Sequence, residues 1–359
     1  MARMGSCGSA RTASLAHLPN QLFPARIVGP EPPDCCLPPD TFTSPAATNQ
    51  AANSVDDPLA RRFLFVTGKG GVGKTTVVAA LAQRLGQRGR RVLVAETSPK
   101  EHLSALFGRA SLPTQITELS PRVFGVLLDP DVALKEYGAL VLKSERLVGA
   151  LFDNKLVRGF FHGAPGLKEW AALGKAWYHS TELLADGSPR FDTVILDAPA
   201  TGHGLAMLRV PKTIVELSPP GVLRTDAERA WQQFKDASQS GVIVVTLPEE
   251  MPTNESFELC GALDRELGLP LAAVVVNQVV PLIFDATQRE ALASLTEPAG
   301  EDPPSLALAA GVRRAAREKV QVESLLRLAT LGAVRFDLPF LLEGASSPAG
   351  VAKLAAVLG

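Results

Sequence analysis

The chain has 359 residues, and its 36 basic and 37 acidic side chains leave a formal charge of −1. No global field therefore draws it to nucleic acid or to an anionic membrane. With 46% hydrophobic and only 6% aromatic residues, the composition suits a helix-and-sheet core built from Ala, Val and Leu.

Residues 1–57 are rich in Pro, Ala, Ser and Thr and show neither helical nor strand periodicity. They are expected to form a disordered extension. Their acid-poor, Arg- and Ser-bearing start fits a transit peptide or an over-long start of translation equally well. Cys7, Cys35 and Cys36 fall here, with Cys260 further on; no Cys-x-x-Cys pair or metal-ligand spacing is present, and a reducing cytoplasm is the expected compartment.

Phe63-Leu64-Phe65-Val66 reads as a strand, and Gly-Lys-Gly-Gly-Val-Gly-Lys-Thr-Thr follows at 68–76. A glycine-rich turn between a strand and a helix aims several main-chain N–H groups and a helix N-terminus at one point, which is what a polyphosphate needs. Gly68, Gly70, Gly71, Val72, Gly73, Lys74, Thr75 and Thr76 are therefore expected to contact a nucleotide. Lys74 would reach the β- and γ-phosphates and the Thr75 hydroxyl would sit on Mg²⁺. Lys69, just after the first glycine, stands too far back to act as Lys74 does; it is free to point across the phosphates toward a second subunit, so a dimer is expected.

Further along, Arg91–Ala95, Val123–Val126, Thr193–Leu196, Gly241–Val245 and Ala272–Val276 read as strands buried on both faces, the pattern of a parallel sheet. Helices over Thr75–Gln87 and Glu255–Leu267 supply crossovers, and ligands are expected beyond the carboxyl ends of the strands. About 129–189 breaks this rhythm and is read as an inserted helical subdomain, with helices over Asp131–Leu151 and Leu167–Leu184. Phe160, Phe161 and His162 between them are read as structural. The tail from Glu343 to Gly359 reads as a final Ala-rich helix. Leu271–Phe284 is too short and too interrupted by Asn277, Gln278 and Pro281 to cross a bilayer, so no direct membrane insertion is expected.

Leu196-Asp197-Ala198-Pro199-Ala200-Thr201-Gly202-His203 follows a strand. An aspartate at that strand end is placed to hold the water shell of Mg²⁺ opposite Thr75, and the Pro-Ala-Thr-Gly run can respond to a γ-phosphate.

The phosphate loop, the Asp197–His203 run, Pro165-Gly166-x-x-Glu169, Pro248-Glu249 and Val275-Val276-Asn277-Gln278 occur in an order that resembles the ArsA-like ATPases, a family that includes arsenite-pump and tail-anchored-protein targeting ATPases. The resemblance runs from Arg62 to the end of the chain. It implies a P-loop NTPase of the SIMIBI class with a deviant Walker A loop: an α/β fold with a mostly parallel twisted sheet, flanked by helices and carrying the helical insertion within 58–359. It implies ATP and Mg²⁺ as cofactors, a homodimer or a heterodimer with a second ArsA-like ATPase, and a protein client. Lys69 would reach the partner's nucleotide, Asp197 would serve Mg²⁺, and Asn277 would recognise adenine. Asp337-Leu338-Pro339-Phe340-Leu341 resembles the second base-contacting loop, with Pro339 in the site.

The sequence departs from the family at one point. The family's first switch resembles Ser-Thr-Asp-Pro-Ala-His-Asn-Leu-Ser, whereas this chain reads Glu-Thr-Ser-Pro-Lys-Glu-His-Leu-Ser over 96–104, so Ser98 takes the place of the aspartate thought to position water. A hydroxyl can orient water but is a poor base, and losing a positioned base costs on the order of 10²–10⁴ in rate. Glu96 and Glu101 are the neighbouring carboxylates. A nucleotide-binding regulator that holds ATP without turning it over, paired with a homologue supplying the carboxylate, is the second reading. A ParA/MinD-type partitioning ATPase is the third. Arsenite ligands are missing, since Cys260 has no partner cysteine outside 1–57, and no methionine falls in the inserted helices.

Overall fold

A computed structural model describes residues 57–98, 100–142 and 166–358. The expectations placed on residues 1–56, on Pro99, on residues 143–151 of the first inserted helix, on Phe160, Phe161 and His162, and on Pro165 lie outside the described residues.

Eight strands form one sheet in the order β3-β4-β2-β5-β1-β6-β7-β8. They are β1 (Phe63–Gly68), β2 (Val92–Glu96), β3 (Thr117–Ser120), β4 (Val123–Leu127), β5 (Thr193–Asp197), β6 (Ser240–Thr246), β7 (Leu271–Val279) and β8 (Arg335–Pro339). Every pairing is parallel except β3 with β4. The helices are α1 (Lys74–Gln87), α2 (Leu103–Leu106), α3 (Pro130–Leu142), α4 (Leu167–Thr181), α5 (Thr201–Leu217), α6 (Val222–Lys235), α7 (Glu250–Ala262), α8 (Ala286–Ala293), α9 (Pro303–Ala329) and α10 (Pro348–Val357).

The continuous apolar runs of the central strands are explained by helices on both faces. Leu64, Val66, Ile195, Ile243 and Val245 point into one core with Val78 and Leu81 of α1 and Leu354 of α10. Their neighbours Phe63, Phe65, Val194, Leu196 and Val244 point the other way, into a core with α4, α5 and α6. A side-chain period of two along each strand thus feeds two hydrophobic layers from one stretch of sequence. β7 divides differently. Ala273 and Val275 join the first core, while Val274 and Val276 meet Leu328 of α9.

Several boundaries differ from the sequence reading. The strands run one to three residues further at their carboxyl ends, so Glu96 and Asp197 are the last residues of β2 and β5, and Asn277 lies inside β7. The crossover helix begins at Glu250 and ends in a π-helical turn, Leu263–Leu267, closed by Gly268 at φ 60°. The last helix begins at Pro348 behind the cap Ser347, whose side chain accepts from the Gly350 N–H. α4 stops at Thr181, and Leu183 pairs with Pro189 instead. Trp170, Leu173, Ala176 and Trp177 of α4 sit in the same core as Phe63 and Phe65, so this half of the helical stretch covers the sheet directly. β3, β8 as a sheet member, and the 27-residue α9 are additions.

Candidate functional site

The carboxyl ends of β1, β2, β5, β7 and β8 come to one edge of the sheet, and residues 68–76, Ser98, Asp197, Asn277 and Pro339 lie there or in the segments just beyond. Gly68 ends β1 at φ 152°, and a Cβ on it would run into the Val245 carbonyl of β6. Gly73 has φ 87° and caps α1; a Cβ there would collide with the Asn277 amide. Only glycine satisfies both conditions. Gly70 and Gly71 lie exposed at the loop crest while Val72 is buried beneath it. The N-terminus of α1 has no side-chain cap and no acidic residue in its first turn, which includes Thr76. Its N–H groups thus remain free to meet an anion.

Lys74 Nζ donates to the Lys69 carbonyl at 3.1 Å, folding over the loop's own backbone. Partial burial lowers its pKa, with Asp197 acting in the opposite sense. Thr75 Oγ1 donates to Asp197 Oδ2 at 2.6 Å. Asp197 is 5% exposed, and burial pushes its carboxyl up to about 6 against the pull of the Thr75 hydrogen bond, Lys74 and His102. Among the described residues no group of three or more His, Cys, Asp or Glu could hold a metal alone. The hydroxyl and carboxylate of Thr75 and Asp197 therefore fit a cation only if phosphate oxygens and water complete its shell, which is how Mg²⁺ is ordinarily held.

β2 brings a second carboxyl to the same edge, Glu96, in register beside Asp197. It is fully buried and accepts the His102 and Leu103 N–H groups at 3.1 and 3.2 Å, capping α2. Burial drives its pKa up to about 7 despite those bonds. Glu101 is also engaged, accepting from Ser104 N (2.5 Å), Ser104 Oγ (2.8 Å) and Leu112 N (3.3 Å). Ser98 Oγ donates to the Lys100 carbonyl at 2.8 Å. In the first-switch segment the Ser98 hydroxyl is thus turned to its own backbone, and Glu96 and Glu101 are committed to main-chain N–H groups.

Lys69 pairs within its own chain, with Glu255 of α7. Asn277 also does something the sequence reading missed. Its Nδ2 donates to the Val72 carbonyl at 2.9 Å and its Oδ1 accepts the Gln278 N–H at 2.9 Å. One N–H and one lone pair are left for another partner. Pro339 ends β8 opposite Val279, and the Phe340 N–H donates to the Val279 carbonyl at 2.9 Å. The base-contacting segments expected from the sequence are therefore neighbours. Thr97 is a further site residue, its Oγ1 donating to the Asp197 carbonyl at 2.9 Å; the only signal in the sequence was its place just past β2.

Comparison with known proteins bears on the same residues. The anion-transporting ATPase family model matches residues 61–218, from β1 through α5. ATPase BagA of Mycobacterium tuberculosis is 30% identical over 250 residues, covering 66% of this chain and 71% of its own. The chain belongs to the ArsA family of ATPases. An arsenical pump-driving ATPase of Escherichia coli is 29% identical over 255 residues, and a putative one of Halobacterium salinarum is 29% identical over 263. The matches to these two cover 41% and 39% of their lengths. The family resemblance and the α/β P-loop fold expected from the sequence both hold. Among the described residues no helix is long and apolar enough to cross a membrane.

Proposed function

We propose that this ArsA-family protein binds Mg²⁺-ATP at the β1–α1 loop and hydrolyses it as a cytoplasmic dimer, converting nucleotide state into a conformational output on a protein client. The observation that carries the reading is the Thr75–Asp197 pair set against an uncapped helix N-terminus, beneath a loop whose Gly68 and Gly73 cannot be replaced. Lys74 is already folded over that loop and would exchange the Lys69 carbonyl for phosphate oxygens, a stronger charge-assisted bond. A cation held by Thr75 and Asp197 would supply charge neutralisation at the β- and γ-phosphates. Phosphoryl transfer is governed by positioning and electrostatics, so Ser98 would act by orienting water. Lys69 would close the partner's nucleotide once released from Glu255, in a dimer of like or unlike chains. Saturable ATP binding that depends on Lys74 tests the reading. A Lys74→Ala protein that binds ATP as the wild type does would end it.

A second reading is favoured by the first switch: a subunit that holds ATP without turning it over, completed by a homologous partner. Ser98 is turned to the Lys100 carbonyl, and Glu96 and Glu101 are spent on backbone N–H groups. Steady-state turnover of the purified chain with and without Ser98→Asp separates the two. Brisk wild-type hydrolysis unmoved by the substitution removes the second reading, whereas an inert wild type revived by about 10²-fold supports it.

A further inference from the structure

The long helix α9 belongs to no motif, yet its buried stripe is interrupted by polar side chains: Ala309, Val312 and Ala315 are followed by Glu318, Gln321 and Ser324 before Leu328 closes the series. Glu318 and Gln321 are 0% and 2% exposed. Burying such groups is costly unless they are fully hydrogen-bonded, and both find their partners in one place, the loop that leaves Asn277. Gln321 accepts the Val280 N–H at 2.9 Å and donates to the Val280 carbonyl at 2.8 Å, so its amide reads that residue as a neighbouring strand would. Glu318 accepts the Ile283 N–H at 3.0 Å and the Phe284 N–H at 3.3 Å. Arg314 supports Glu318 from one helical turn away, its Nε 2.8 Å from the carboxylate, and also donates to the Pro281 carbonyl.

The same helix reaches the second loop. The Arg317 guanidinium lies over the Phe340 ring, 5.3 Å from its centroid. Phe340 is in turn joined to β7 through its N–H on Val279. Just before the first loop, within β7, the chain turns at Gln278, a non-glycine residue at φ 60°. That conformation is held only where its surroundings over-determine it. Asn277 at the turn is bonded to Val72 in the phosphate loop. Three neighbouring side chains of one helix therefore fix both segments that flank Asn277.

We infer that Gln321, Glu318 and Arg317 of α9 are positioning residues for the base half of the nucleotide site, setting how tightly and how selectively a purine is held while the β1–α1 loop and Asp197 set the hold on the phosphates. The inference rests on the proposed nucleotide reading and names the elements that carry base recognition within it. None of the three side chains is required to touch the nucleotide. They hold the Asn277–Phe284 and Pro339–Phe340 segments at fixed separation, and a misplaced shelf loses base contacts before it loses anything else.

The test is equilibrium titration of the wild-type chain and of Gln321→Ala with ATP, GTP and inorganic tripolyphosphate, alongside thermal unfolding. Wild type should bind ATP more tightly than tripolyphosphate. Gln321→Ala should weaken ATP by about tenfold, the size of one or two lost hydrogen bonds, narrow the ATP-over-GTP ratio, and leave tripolyphosphate within about twofold. An equal loss for ATP and tripolyphosphate would mean a general defect and overturn the inference, as would no loss for either. Should Gln321→Ala fail to fold, Arg317→Ala takes its place: Arg317 is exposed, and removing it should cost ATP two- to threefold, on the scale of one cation–π contact, with tripolyphosphate unmoved. An unchanged ATP affinity there overturns the inference. A wild type that binds neither ATP nor tripolyphosphate ends the nucleotide reading itself, a result separable from a wild type that binds both while the variants behave like it.

Discussion

Glu96 is a fully buried carboxyl beside Asp197, and its protonation leaves a measurable mark on stability. Burial raises its pKa in the folded chain to about 7 from 4.5, so the fold disfavours the ionised form. For a raised carboxyl the stabilising contribution is complete below the unfolded value and is lost as pH climbs through the folded one. Nucleotide-free wild type should therefore weaken between about pH 4.5 and 7 and level off above. A difference of about 2.5 pK units corresponds to about 3 kcal/mol at 1.36 kcal/mol per unit. Glu96→Gln keeps an acceptor for one of the two α2 N–H groups and removes the titration. Losing the other hydrogen bond costs about 1 kcal/mol at every pH. The variant should therefore be the weaker protein at pH 5 and the stronger by about 2 kcal/mol at pH 8. Asp197, raised to about 6, is one of the charges that raise Glu96, so removing the Glu96 charge also relaxes part of Asp197's own slope and adds to the variant's advantage at high pH. Urea denaturation with EDTA at pH 5, 6, 7 and 8 reads the difference directly. A gap between the two midpoints that stays constant from pH 5 to 8 would refute the argument that the buried Glu96 charge is what the fold pays for.

Gly73→Ala should abolish saturable ATP binding and lower stability by about 1–3 kcal/mol, because φ 87° is left-handed and the new Cβ meets the Asn277 amide; titration together with urea melts checks both. Asp197→Asn should leave ATP binding in EDTA within a few-fold of wild type and remove most of the gain on adding Mg²⁺, which is read by titration with and without the cation. Trp170→Ala, deleting a ring that is 2% exposed in the core against Phe63 and Phe65, should cost about 3–5 kcal/mol by denaturation.

The sheet was legible because its central strands are buried on both faces, and runs such as Val242–Val245 carry that burial as unbroken hydrophobicity. Edge strands gave a weaker signal. β3 is Thr-Glu-Leu-Ser with one buried residue among four, and β8 begins with an exposed Arg335; neither pattern separates from a loop until a neighbour supplies the ladder. α9 went unread for another reason. Its inner stripe carries Glu318, Gln321 and Ser324 where a core-facing helix would carry apolar residues, and those polar groups make sense only once the loop they satisfy is folded against them. The phosphate loop and Asp197 lay in local motifs and needed no such context. The Asn277–Val72 bond joins residues 205 apart, and no local pattern announces it.

Lys69 shows how far a motif can be carried before geometry intervenes. Its position suggested a side chain free to cross to another subunit, yet in the single chain its ammonium is paired with Glu255 on α7, the two side chains 29% and 31% exposed. A partly exposed pair of this kind is worth only about 0–1 kcal/mol. A lysine hydrogen-bonded to phosphate oxygens in a water-poor interface is worth roughly twice a neutral hydrogen bond. If a partner's phosphates are present, the exchange from Glu255 to them is expected to run downhill. On that balance the Glu255 pairing costs little to break, and the cross-subunit role proposed for Lys69 requires a partner subunit whose bound triphosphate receives it.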